Sequence, residues 1–273
     1  MAKLKIGIVG CGAIGSSLAR IILKKYYRQA ELSGFYDIDI SKAPGLAKKL
    51  GLNAILNKSS LDKLINGSDL IIEATAAGYS RVLCKKVLSK KKDILVMSVG
   101  GIAGHILQLT QLAYRNKCKV YVPSGAIAGI DALKAVGCGN IKKVMLTTTK
   151  PALAFSGVPY IKQKKINLRS IVNSKVIFEG NAVSAVKNFP QNINVAAVLS
   201  LAGIGLGRTR VRIVASSRVK KNIHEIEIES EAAKVTTRTE NIAHPDNPKT
   251  SFLAVLSAEA VIKQILSPVK IGA

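Results

Sequence analysis

"KIGIVGCGAIGSSLAR", residues 5–20, decides how the rest of the chain is read. An apolar run breaks at Gly10-Cys11-Gly12-Ala13-Ile14-Gly15, then Ile14, Leu18, Ile21 and Ile22 recur at helical spacing. A strand over 4–9 therefore leads through a tight turn into a helix over 13–25. Each glycine has its own task in a dinucleotide site. Gly10 permits the turn, Gly12 lets the backbone approach a pyrophosphate, and Gly15 brings the helix close to the sheet. The first helical residues, Ala13 and Ile14, then offer backbone N–H groups to phosphate at the positive end of the helix.

Asp37 strengthens this reading. It ends a second strand, 31–37, and lies 22 residues beyond Gly15, where a carboxylate accepts from the adenosine ribose hydroxyls. A carboxylate there repels a 2′-phosphate and favours NAD, whereas Lys42 and the positive charge of the chain leave room for NADP. Strands at 69–75, 93–98 and 119–124 alternate with helices at 41–51, 78–90 and 103–116, the rhythm of a doubly wound parallel sheet. Loops of small residues follow these strands and carry Thr75 and Ala76, Ser98, and Ala126. They sit at the carboxyl edge, where open α/β sheets bind ligands.

Beyond residue 125 the rhythm changes. Strands at 142–150, 174–180, 209–216, 224–230 and 234–239 alternate polar and apolar residues, with helices at 181–188 and 192–204. The pattern predicts a mainly antiparallel sheet with helices on one face. A last helix is expected from Pro248 to residue 266. The fold class is thus α/β, a Rossmann-type domain over 1–125 followed by an α+β domain over 126–248 for substrate, catalysis and dimerisation. The C-terminal segment 249–273 is expected to return to the first domain.

Composition narrows the function classes. The 273 residues are 48% hydrophobic, enough for real cores, and no apolar run approaches the ~18 residues that span a bilayer. The N-terminus lacks a cleavable signal pattern. Cys11, Cys84, Cys118 and Cys138 show no metal or disulfide spacing, so no metal is expected and a reducing cytoplasm fits. The net charge of +25 raises nucleic-acid binding, but the excess is spread evenly, 20 basic and 7 acidic residues in 1–125 against 21 and 9 in 126–273. Aromatics at 4% offer few stacking platforms, which argues against a nucleic-acid partner.

Candidates for chemistry lie in the second half. His105 opens a helix without companions and reads as structural. His224, at the start of a strand, and His244, in a polar loop, both suit proton transfer, and pattern alone does not separate them. Cys138 lies in a loop unsuited to a nucleophile. Arg208, Arg210 and Arg212 recur at period two, as a carboxylate clamp or a solvated strand face. Lys249, with Thr250 and Ser251 at an expected helix N-terminus, is another anion candidate.

Five stretches in order, "GIVGCGAIG" (7–15), "SGAIAGIDAL" (124–133), "FPQNINVAA" (189–197), "TRVRIVAS…NIHEI" (209–226) and "NPKTS" (247–251), resemble the L-aspartate dehydrogenase family. The resemblance implies NAD- or NADP-dependent oxidation of L-aspartate to iminoaspartate, which hydrolyses to oxaloacetate and ammonia or feeds NAD biosynthesis. It also implies cofactor contacts at Ala126 and Asn192, a catalytic histidine at His224, and a homodimer. Arg208, Arg210 and Lys249 become candidates for the substrate carboxylates. Residues 215–221 are more basic than the family pattern leads one to expect. Two other readings are weighed against it: a two-domain reductase of a dihydrodipicolinate- or homoserine-like carboxylate, and a non-catalytic, NAD-responsive protein associated with nucleic acid.

Overall fold

Ile6, Ile8 and Val9 are buried on β1 (Leu4–Val9), the strand that opens the first of two units in this computed structural model. The structure describes residues 2–52, 60–189 and 193–272. The first unit spans Met1–Pro123 with Val255–Lys270, and the second Ser124–Ala254 with Ile271–Ala273.

In the first unit β1 is followed by α1 (Ala13–Lys25), β2 (Ala30–Tyr36), α2 (Lys42–Lys49), α3 (Leu61–Asn66), β3 (Leu70–Glu73), α4 (Ala77–Ser89), β4 (Asp93–Val96), α5 (Ile106–Asn116) and β5 (Val120–Tyr121). The strands form one parallel sheet in the order β2-β1-β3-β4-β5. Near-continuous apolar strands such as Leu70–Glu73 are buried along their length because helices cover both faces. The order reverses at β1, so a crevice opens at its carboxyl end, beside the glycine turn.

The second unit runs through α6 (Ile130–Val136), β6 (Ile141–Pro151), α7 (Pro159–Gln163), β7 (Ser174–Asn181), α8 (Ala182–Asn188), α9 (Ile193–Ala202), α10 (Gly205–Arg208), β8 (Arg210–Ser216), β9 (Asn222–Ser230) and β10 (Lys234–Asn241). Its sheet has the order β10-β9-β6-β8-β7, with only β6 and β8 parallel. Period-two alternation gives it two unlike faces. Val144, Leu146, Thr148, Ile213, His224, Ile226 and Ile228 are buried on the inner face. The outer face carries ion pairs, Lys143 with Glu227, Arg212 with Glu179 and Arg238 with Glu225.

The C-terminal segment departs from expectation. Residues 247–251 are not helical: β12 (Asn247–Ser251) pairs with β11 (Ala243–His244), and α11 (Phe252–Leu266) starts only afterwards. His244 explains this locally. Its Nδ1 accepts from the Asp246 amide at 3.0 Å and its ring packs edge-on to Phe252, which holds the hairpin closed. The part of α11 from Val255 onward belongs to the first unit, where Glu259 pairs with Lys25 at 2.8 Å.

Candidate functional site

The glycine turn is held by its surroundings. Gly10 has φ +98°, and a Cβ there would strike the Ala74 carbonyl; a Cβ on Gly15 would strike the Gly10 carbonyl. Gly12 differs. A Cβ on it meets nothing within 4 Å, and as N-cap of α1 it leaves that helix without a side-chain cap. Exposed space in front of uncapped helical N–H groups is what a pyrophosphate requires, so these residues fit a dinucleotide.

Asp37 is the second fixed point. One of its oxygens accepts from the Cys11 amide at 2.7 Å and the other from the Asp39 amide at 3.0 Å. A carboxylate has about four lone-pair sites, so two remain for ribose hydroxyls. Lys42 pairs with Asp39 at 3.8 Å. Burial, with Asp37 beside it, pushes the Cys11 thiol up to about 12, against the opposing effect of Lys42, which leaves it unreactive at neutral pH.

Thr75 and Ser98 are engaged within the protein through a residue that sequence reasoning missed. Glu73 is fully buried at the end of β3. One of its oxygens accepts from Thr75 N at 2.8 Å and Thr75 Oγ1 at 2.6 Å, the other from Met97 N at 3.1 Å and Ser98 N at 2.8 Å. Ser98 Oγ in turn donates to the Thr75 carbonyl at 2.5 Å. Burial raises the Glu73 pKa, and its hydrogen bonds oppose that rise. The loops after β3 and β4 are thus fastened to one carboxylate. Ala76 caps α4 from an exposed position without a side-chain bond. The only sequence signal for Glu73 was a charge inside an otherwise apolar strand.

In the second unit His224 lies opposite Thr148 across β6 and β9 and is 6% exposed. Its Nδ1 is 3.0 Å from Thr148 Oγ1. Burial, and then the charge of Lys150, lower its pKa to about 3, so the ring is neutral at neutral pH. Lys150 is a second residue that sequence reasoning missed. It follows Val144, Leu146 and Thr148 in the inward phase of β6, and burial lowers its own pKa to about 8. A lysine in the apolar phase of an alternating strand was the available signal.

The remaining candidates separate. The Ala126 carbonyl accepts from Thr239 Oγ1 at 3.2 Å and Asn241 Nδ2 at 3.1 Å, and Asn241 Oδ1 accepts from Ser251 Oγ at 2.5 Å. The structure therefore links Ala126 and Ser251 through Asn241. Thr250 Oγ1 accepts from Asn247 Nδ2 at 3.2 Å, and the expected anion site at a helix N-terminus is instead strand. Asn192 and the side chain of Lys249 lie outside the described residues. Arg208 is not on the strand: it ends α10 and donates to the Ile141 carbonyl at 3.3 Å. Arg210 and Arg212 reach Glu179 at 3.9 and 2.9 Å on the outer face. Strand alternation turns both away from the His224 face, so the solvated-face alternative describes them. His244 belongs to the hairpin, and Cys138 is exposed in the turn after α6.

Comparison with known proteins bears on the whole chain. Residues 131–265 match the family described as aspartate dehydrogenase, C-terminal, and residues 10–123 the NAD-binding domain of homoserine dehydrogenase. L-aspartate dehydrogenase of Methanosarcina barkeri is 43% identical over 276 residues, covering 98% of this chain and 99% of its own. The chain belongs to the L-aspartate dehydrogenase family. The L-aspartate dehydrogenase of Methanosarcina acetivorans is 44% identical over 271 residues, with the same coverage of 98% and 99%. Among solved structures, aspartate dehydrogenase from Thermotoga maritima shares the fold, with a TM-score of 0.76 at 23% identity over 99% of this chain and 100% of its own. Family membership makes the chain an oxidoreductase with a nicotinamide dinucleotide-binding domain, and among the described residues no helix is long and apolar enough to cross a membrane.

Proposed function

We propose that the chain oxidises L-aspartate to iminoaspartate, which water converts to oxaloacetate and ammonia. The observation that carries this reading is His224, a buried neutral imidazole bonded to Thr148 on the inner face of the second sheet. Bound NAD supplies the acceptor for the hydride that leaves the aspartate Cα. Gly12, Ala13 and Ile14 would hold its pyrophosphate, and Asp37 its adenosine ribose. The lean toward NAD over NADP rests on Asp37 and on Lys42 being drawn to Asp39.

The amino group must lose a proton before its lone pair can drive hydride from Cα. A neutral imidazole is in the right form to take it, and in the tautomer whose Nδ1–H donates to Thr148 Oγ1, Nε2 is the acceptor. Thr148 fixes the ring so that Nε2 keeps one direction. Loss of hydride leaves an iminium, to which water adds with release of a proton to solvent, and the imidazolium then returns its proton to the carbinolamine nitrogen so that ammonia can leave.

We further read the protein as a cytoplasmic homodimer. Its cysteines are free among the described residues, and twofold pairing is the commonest assembly of such enzymes. Light scattering tests the dimer. The activity is tested by incubating the protein with NAD and a panel of L-amino acids while following absorbance of the reduced cofactor. L-Aspartate is expected to give the fastest rise, and a flat trace overturns the reading.

A further inference from the structure

Lys150 differs in burial from Lys142 and Lys175, cations of the same sheet that are exposed to solvent. Lys143, Lys234, Arg210, Arg212 and Arg238 each pair with a glutamate on the outer face. Lys150 is half-buried in the inward phase of β6, and among the described residues no carboxylate pairs with it. An ammonium drawn out of water without a counter-charge is unfavourable in the free protein. It lies one inward position from Thr148, the residue bonded to His224.

We propose that Lys150 receives a carboxylate of the substrate, and that this pairing is what allows His224 to take the proton of the substrate's amino group. The inference rests on the amino-dicarboxylate reading above. In the free protein two effects keep the imidazole from protonating, burial and the Lys150 charge. A carboxylate placed on Lys150 cancels that charge, and its loss favours imidazolium. The proton passes from the substrate ammonium to His224 Nε2; the carboxylate–ammonium pair forms and dissolves without covalent change.

Other groups around His224 do not compete for this role. Glu225 and Glu227, on the same strand, turn outward to Arg238 and Lys143. β10 places Thr239 opposite His224, and β6 places Thr148 there; neither titrates. The device makes the base conditional on an acidic ligand. Amines without a carboxylate find His224 inert.

The test uses NADH-saturated protein with labelled histidine, with the His224 resonance assigned by its loss in His224→Gln. Succinate is the probe, a dicarboxylate with no amine to oxidise. In the wild type at pH 7, where succinate is a dianion, its addition is expected to shift the His224 ring-nitrogen resonances. Lys150→Met is expected to abolish that response and to raise KM for L-aspartate about tenfold or more, with NADH affinity and urea midpoint kept. Lys150→Arg, which preserves the charge, should retain part of the response. A Lys150→Met protein that keeps the wild-type KM and succinate response overturns the proposal. A wild type that makes no NADH from L-aspartate overturns the functional reading alone, because the succinate titration is read without turnover.

Discussion

His224 and Thr148 face each other across the β6–β9 ladder, with the imidazole Nδ1 3.0 Å from the threonine hydroxyl. The pair sits on the buried side of the sheet, so backbone register aims the ring and no mobile loop is involved. Replacing His224 with Ala is expected to lower kcat for L-aspartate by ~10²–10⁴-fold. NADH binding, followed by fluorescence, should not change. Full activity in the variant would remove His224 from the mechanism.

The same burial has a consequence for stability. In the unfolded chain the imidazole gains a proton below about 6.5, but in the fold only near 3. Between these values the unfolded state binds more protons, so stability falls as pH drops through that window. Urea midpoints measured from pH 7 to pH 4 should fall more steeply for the wild type than for His224→Gln. Parallel slopes would show that His224 does not titrate in this way.

Glu73 receives four donors from two loops. In Glu73→Gln one oxygen becomes an amide nitrogen that opposes two of those N–H or O–H groups. The expected loss is about 1–3 kcal/mol of stability, from buried donors left unsatisfied. Weaker NADH binding should accompany it, because the loops after β3 and β4 lose their common anchor. Chemical denaturation and fluorescence titration on one preparation check both effects.

The glycine turn allows folding and binding to be separated. Gly12→Ala places its methyl in open space at φ −72°, so stability should stay within about 0.5 kcal/mol. NADH affinity should fall about tenfold or more, since that space is where the pyrophosphate is proposed to approach. Gly10→Ala should instead destabilise the fold itself, through the Ala74 carbonyl and φ +98°. Equal thermal losses in the two variants would contradict this division.

Arg210→Ala should leave KM for L-aspartate unchanged, because its partner is Glu179 on the outer face. A large rise in KM would return Arg210 to the substrate site.

The first unit was legible in the sequence because every level of it agrees: apolar strands, a glycine turn between β1 and α1, and an acid closing β2 all point to one topology. The second sheet was legible as alternation, but not the parallel pairing of β6 with β8, which depends on contacts remote in sequence. Arg208 was misplaced because a four-residue helix leaves no periodicity to read. Pro248 suggested a helix start, yet the His244–Asp246 turn drew the next residues into a hairpin. Glu73 and Lys150 were overlooked for a common reason. Each is a single charge in an apolar phase, and its meaning lies in partners that only the folded chain assembles.

Asp37 carries a constraint on how this scaffold can change. Its carboxylate, proposed to meet the ribose and repel a 2′-phosphate, also moors the amides of Cys11 and Asp39. Deleting it to admit a phosphorylated cofactor releases the glycine turn proposed to hold the pyrophosphate. A switch of cofactor in this chain is therefore a two-step path with a fixed order. A new acceptor for the Cys11 amide has to come first, and an engineer who begins with the acid meets a weaker binder of both nucleotides.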